Sequence, residues 1–102
     1  MRYLMRVSIP NEPFNSYVRE GTVGRLMGRI LEETKPESIY FTEQDGRRGA
    51  LAVYNIEKVS QVPVLSEPWF LTFDAECHFQ IAMTPDDLKQ AGLDDLGKRW
   101  RK

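Results

Sequence analysis

The segment SIYFTEQDGRRGALAVYNI, residues 38 to 56, sets the strongest limit on what this chain can fold into. Two runs rich in β-branched and aromatic residues, SIYFTE and ALAVYNI, flank QDGRRG, and the Asp45–Gly46 step inside it is a strong hairpin signal. Two antiparallel strands are therefore expected at the centre of the sequence. Their register has two solutions. A two-residue turn and a three-residue turn with a bulge put opposite sets of second-strand side chains on a given face. The longer turn is preferred, which sets Phe41 opposite Leu51 and Ile39 opposite Val53.

The flanks supply the remaining elements. RYLMRVSI alternates Tyr3, Met5, Val7 and Ile9 against Leu4, Arg6 and Ser8, the period of a strand with one apolar face. Pro10 ends it, and Asn11 is a candidate helix cap. Val23, Leu26, Met27, Ile30 and Leu31 then mark an amphipathic helix that stops before Pro36, preceded by a weaker stripe of Phe14, Tyr17 and Val18 that Gly21 interrupts. Between Asn55 and Phe73, Val59, Val62, Trp69, Phe70 and Phe73 keep helical spacing, with Pro63 and Pro68 expected to break the segment into short pieces. ECHFQIAMT alternates again and predicts a fourth strand. TPDDLKQAG carries a helix cap at Thr84, proline at the first helical position, a capping-box acid at Asp87 and a glycine stop at Gly92.

Strand, helix, strand, strand, helix, strand is the βαββαβ order of the ferredoxin-like α+β fold: a four-stranded antiparallel sheet with helices on one face and the other face bare. A length of 102 residues suits one such domain, expected over residues 1–92, with a polar tail at 93–102. Apolar residues at 41% and charged residues at 28% fit a folded globular chain. One cysteine can make no internal disulfide, and Arg6 and Ser8 interrupt any leader-like or membrane-spanning run at the start, so a cytoplasmic location is expected.

Several chemistries find no footing. A formal net charge of −1 gives no field toward nucleic acid or a membrane surface. RGALAVYN matches the RNA-recognition consensus at Arg48, Gly49 and Val53, but its stacking positions hold Ala50, Ala52 and Asn55. The basic ending KRWRK is the kind of solvated terminus that most chains carry, although Trp100 is available to dock on a partner subunit. GTVGRLMG lacks the spacing of a phosphate loop. No cluster of His, Cys, Asp and Glu predicts a metal site, and no cofactor is implied.

The one cysteine and the one histidine, Cys77 and His78, are neighbours in the fourth strand. Successive strand residues point to opposite faces, so the two cannot form a thiolate–imidazole pair within one subunit. Cys77 joins Phe79, Ile81 and Met83 as a small hydrophobe. His78 and Gln80 share the other face with Leu4, Arg6 and Ser8, and with Tyr40 and Thr42 of the first hairpin strand. Ala52 and Tyr54 join them under the longer turn. This face reads as a wet surface, a dimer interface or a pocket lining, and its aromatic and imidazole groups favour cover by another surface.

YFTEQDGRRG, EPWFL and MTPDDLKQAG resemble segments of a family of small bacterial proteins related in pattern to the dimeric α+β barrel group, a likeness over nearly the whole chain. In that group two ferredoxin-like sheets face each other across a two-fold axis. Its members include cofactor-free monooxygenases, haem-degrading enzymes, lactone isomerases and stress-induced proteins. The haem-degrading branch shapes its pocket with an Asn on strand one, a Trp on the second helix and a His near that helix's end. Trp69 matches the second, strand one has no Asn, and His78 falls in a strand. The combined expectation is a homodimer that binds a small apolar or aromatic molecule through Arg6, Tyr40, Tyr54, Trp69 and Gln80, or an accessory subunit without chemistry. The alternative is a cofactor-independent monooxygenase or isomerase with His78 as proton-transfer group, Arg6 holding developing negative charge, and Tyr40 and Tyr54 orienting a ring. Whether the pocket lies between sheets or on the helix side near Trp69 is open at this level.

Overall fold

The computed structural model describes all 102 residues. Strands β1 (Arg2–Ile9), β2 (Ser38–Gln44), β3 (Arg47–Asn55) and β4 (Glu76–Ala82) form one antiparallel sheet in the order β2-β3-β1-β4. Helices α1 (Phe14–Glu20), α2 (Val23–Thr34) and α3 (Gln61–Phe73) supply the crossovers, and α4 (Pro85–Gln90) and α5 (Leu93–Arg99) follow β4. No helix is long and apolar enough to cross a membrane.

Strands β1 and β3 each alternate between a buried and an outward face. Met5, Val7 and Ile9 of β1 and Ala50, Ala52 and Tyr54 of β3 are buried under the helices. Ile30 of α2 and Leu65, Trp69 and Phe73 of α3 close the core from above, with Phe14 and Tyr17 of α1 packed edge-on or tilted against the Phe73 ring at 5.2 and 6.0 Å. Each large side chain buried in this way contributes about 1.5–3 kcal/mol of hydrophobic free energy. Small alanines at 50 and 52 let the helix layer approach the middle of the sheet, where Trp69 is fully buried.

The hairpin register differs from the longer-turn expectation. Asp45 (φ 52°) and Gly46 (φ 79°) form a two-residue turn with positive φ at both positions, the geometry whose twist matches that of the flanking strands. Asp tolerates the left-handed region better than most residues, and the Glu43 carboxylate accepts the Gly46 N–H to hold the turn shut. Gln44 therefore pairs with Arg47, Phe41 with Ala50, Ile39 with Ala52 and Tyr40 with Leu51. One residue of slip reverses every face. Leu51 and Val53 take the uncovered side, and Ala52 and Tyr54 enter the core.

One helix expectation, the interruption at Gly21, holds, and one is revised. The first crossover is two helices, because Gly21 at φ 77° ends α1 in a left-handed cap whose N–H reaches the Tyr17 and Val18 carbonyls. The second crossover is one helix through both prolines. Pro63 lies in the first turn, where a missing N–H costs no helical bond. Pro68 leaves only the Val64 carbonyl without its helical donor, and Val64 is on the exposed side, where water reaches it. Leu65 thus replaces Phe70 and Val59 among the inward-facing residues; those two are exposed.

Candidate functional site on the uncovered sheet face

On the side away from the helices, register places the outward side chains in rows that cross all four strands. The middle row runs Tyr40, Leu51, Arg6, His78. Above it lie Ser38, Val53, Leu4 and Gln80, and below it Thr42, Gly49, Ser8 and Glu76. Arg6 and His78 are direct cross-strand partners, with Cβ atoms about 5 Å apart for such a pair. Tyr40 stands on the far edge strand, roughly 14 Å from His78 at ordinary strand spacing, so a single small ring cannot touch both within one subunit.

The lower two rows and the hairpin turn enclose a concavity of about 860 Å³. Arg6, His78, Ser8 and Glu76 line one side, Thr42, Gln44 and Arg47 the other, and Leu51 is the one hydrophobic residue of the lining. Gly49 makes this shape possible. The Gln44 side chain folds across it so closely that an added Cβ would meet Gln44 Cδ at 2.9 Å. Arg47 faces the concavity, whereas Arg48 is engaged on the helix side: its guanidinium carbon lies 4.3 Å from the centre of the Phe14 ring and its Nη1 donates to Asn15 Oδ1 at 2.7 Å.

The residues expected to form the site thus separate into two groups. Arg6, Tyr40, His78 and Gln80 share the uncovered face, and only Arg6 and His78 reach the concavity. Tyr54 and Trp69 belong to the other side of the sheet. Tyr54 is buried and its hydroxyl bonds Thr34 Oγ1 at 2.9 Å; burial raises its pKa above the ordinary tyrosine value, with the Thr34 bond opposing. Trp69 is 0% exposed, its Nε1–H makes no hydrogen bond of ordinary geometry although the Tyr54 hydroxyl lies beside it, and it borders no cavity. Both are core residues. Cys77 is half-buried facing the helices, opposite Val7, and desolvation pushes its thiol up to about 12, so it is no nucleophile near neutrality. Arg47, Gln44, Glu76 and Leu51 were not singled out from the sequence. Parity from a two-residue Asp-Gly turn was the signal for Arg47 and Leu51.

What the arrangement can do follows from its groups. Arg6 and Arg47 supply fixed positive charge and planar donors, Glu43, Asp45 and Glu76 supply acceptors, and His78 can do either. Such a lining suits a molecule that both donates and accepts hydrogen bonds. No three His, Cys, Asp or Glu side chains converge as a metal-binding group would require.

Fold and face together place the chain in the ferredoxin-like α+β class. Among solved structures it is similar to 5-chloro-2-hydroxyhydroquinone dehydrochlorinase from Burkholderia phenoliruptrix AC1100, solved in complex with 2,5-dihydroxybenzoquinone, with a TM-score of 0.59 and 13% identity over 84% of this chain and 97% of that one. It is similar as well to the de novo designed protein Ferredog-Diesel, with a TM-score of 0.50 and 15% identity over 79% of this chain and 85% of the design. At these identities the likeness is one of fold. No family model matches the sequence, and no curated protein matches it.

Proposed function

We propose that the protein is a homodimer joined through its uncovered sheet faces, and that the enclosed concavity binds a small hydroxylated aromatic or similarly polar ring. The observation that carries this reading is the middle row itself. Leu51 offers a flat apolar floor between Tyr40 on one side and the Arg6–His78 pair on the other. A ring resting on Leu51 places acidic hydroxyls beside Arg6 and His78, and a second copy excludes water from above. Leu4, Val53 and the 69% exposed Tyr40 give that copy apolar surface to cover. The same fold holds a dihydroxybenzoquinone in the dehydrochlorinase complex, and YFTEQDGRRG, EPWFL and MTPDDLKQAG resemble segments of two-fold barrel proteins.

The pairing of Arg6 with His78 also favours a second reading, a cofactor-independent monooxygenase or isomerase. An imidazole that accepts a phenolic or carbon-bound proton, beside a guanidinium that holds the resulting anion, is a minimal acid–base pair. One experiment separates the two. Titration calorimetry with 2,5-dihydroxybenzoquinone and related hydroxylated rings, with turnover followed in the same samples, is run on native protein and on His78→Ala. A tenfold or greater loss of affinity without turnover by either protein supports the binding module. Turnover that vanishes in His78→Ala supports the enzyme, and equal affinity of both proteins for every ring removes the site.

A further inference from the structure

The last two helices stand away from the rest of the molecule. Neither α4 nor α5 packs closely against any other element. The principal extents are 61 × 29 × 19 Å and the radius of gyration is 17.5 Å, against about 13 Å for a compact domain of this length. Residues 84–102 therefore form a projecting arm. Helix α4 is held by a reciprocal cap, in which Asp87 N–H donates to Thr84 Oγ1 at 3.1 Å and Thr84 N–H donates to the Asp87 carboxylate at 2.9 Å. Helix α5 is seven residues long, well below the roughly 12–15 residues at which a lone helix persists in water. Yet Leu93, Leu96 and Trp100, spaced three and four apart on one side, are all exposed, Trp100 by 78%. Such a stripe needs a surface.

A surface of the right kind lies between α2 and α3. This groove of about 370 Å³ is lined on its apolar side by Leu26, Ile30, Val64 and Leu71, and the 82% exposed Leu71 is the most exposed large hydrophobic residue of the chain. Its rim carries Arg29, Glu33 and Glu67; Arg29 Nε donates to Glu33 Oε1 at 3.2 Å, which leaves Glu67 as the unpaired acid of the rim. The arm's tip carries Lys98, Arg99, Arg101 and Lys102. An apolar stripe that ends in basic residues and an apolar groove with the free acid Glu67 at its rim are complementary in charge.

We propose that α5 of one copy seats Leu96 and Trp100 in the α2–α3 groove of a second copy, and that the second copy returns the same contact. Reciprocal exchange closes after two chains, so the assembly is a finite dimer. The contact uses neither Arg6 nor His78 and stands independently of the sheet-face reading.

Engineered cysteines test this in a Cys77→Ser background. A chain carrying both Leu96→Cys and Leu71→Cys is oxidised mildly and run without reductant, beside each single variant. A covalent dimer absent from both single variants is expected. It should fall at least fivefold when Glu67→Arg is added and return when Arg99→Glu is combined with it. A cross-linked monomer would assign the arm to its own groove, and no cross-link would leave the groove unused; either result overturns the proposal. Cross-links in cell extract to other proteins, with no covalent dimer, would assign the arm to a foreign partner and overturn it as well.

Discussion

Arg6 stands directly opposite His78 in the antiparallel β1–β4 ladder, on the face that no helix covers. The pair owes its position to two alternations that agree. Met5 and Val7 are drawn into the core on either side of Arg6, and Cys77 and Phe79 face the helices on either side of His78. Hydrophobic burial of the neighbours is what turns both groups outward together.

Binding should therefore depend on the two side chains while folding does not. Arg6→Ala and His78→Ala each remove an exposed group, so the change in unfolding free energy should stay within about 0.5 kcal/mol. Affinity for a hydroxylated ring should fall tenfold or more in each variant. Thermal melting and calorimetry on the same samples check both halves of the expectation.

Trp69 should behave as core. Trp69→Ala should cost about 3–5 kcal/mol. Trp69→Phe should cost clearly less, because a six-membered ring still fills most of the site. Denaturant unfolding of the two variants gives the comparison. A Trp69→Phe protein as unstable as Trp69→Ala would contradict the placement.

The Cys77 thiol should resist alkylation in the folded protein and gain reactivity only on unfolding. Burial raises its pKa from 9.0 to about 12. The neutral thiol is the favoured folded form, so this group's contribution to stability is complete below pH 9.0 and is lost as pH rises from there toward 12. Iodoacetamide labelling followed by mass spectrometry, at pH 8 and in denaturant, reads the reactivity directly.

The arm should loosen without the body noticing. Thr84→Ala removes a reciprocal cap worth about 1 kcal/mol from a helix that packs closely against no other element. Hydrogen exchange over residues 85–90 should speed up severalfold, while protection of β1 and β3 stays as it was.

Much of this layout was legible in the sequence, and the parts that were not have physical causes. The strand patterns of β1 and β4 sorted Met5, Val7, Ile9, Cys77 and Phe79 from Arg6 and His78 correctly, whereas Ile81 and Met83, read with the apolar face, are exposed where no helix covers the end of β4. The hairpin register was not legible, because Asp-Gly satisfies both a two-residue turn and a longer one, and the slip between them moved Tyr54 into the core and brought Leu51 and Arg47 to the concavity. Helix α3 kept its prolines because one falls in the first turn and the other leaves an unpaired carbonyl on the wet side. Trp69 resembled a pocket residue by family pattern, yet it is fully buried in the core beside Phe73, with ring centres 6.1 Å apart.

The central claim is that a second copy of the chain covers the face bearing Arg6 and His78. Sedimentation equilibrium of the intact protein beside Val53→Asp tests it most directly, because Val53 lies on that face in the row next to Arg6 and carries no part of the core or the arm. The native protein should sediment at twice the chain mass at micromolar concentration, and Val53→Asp should stay folded with a dimer dissociation constant at least tenfold higher. A native protein that sediments as single chains, or a Val53→Asp dimer as tight as the native one, would contradict the account.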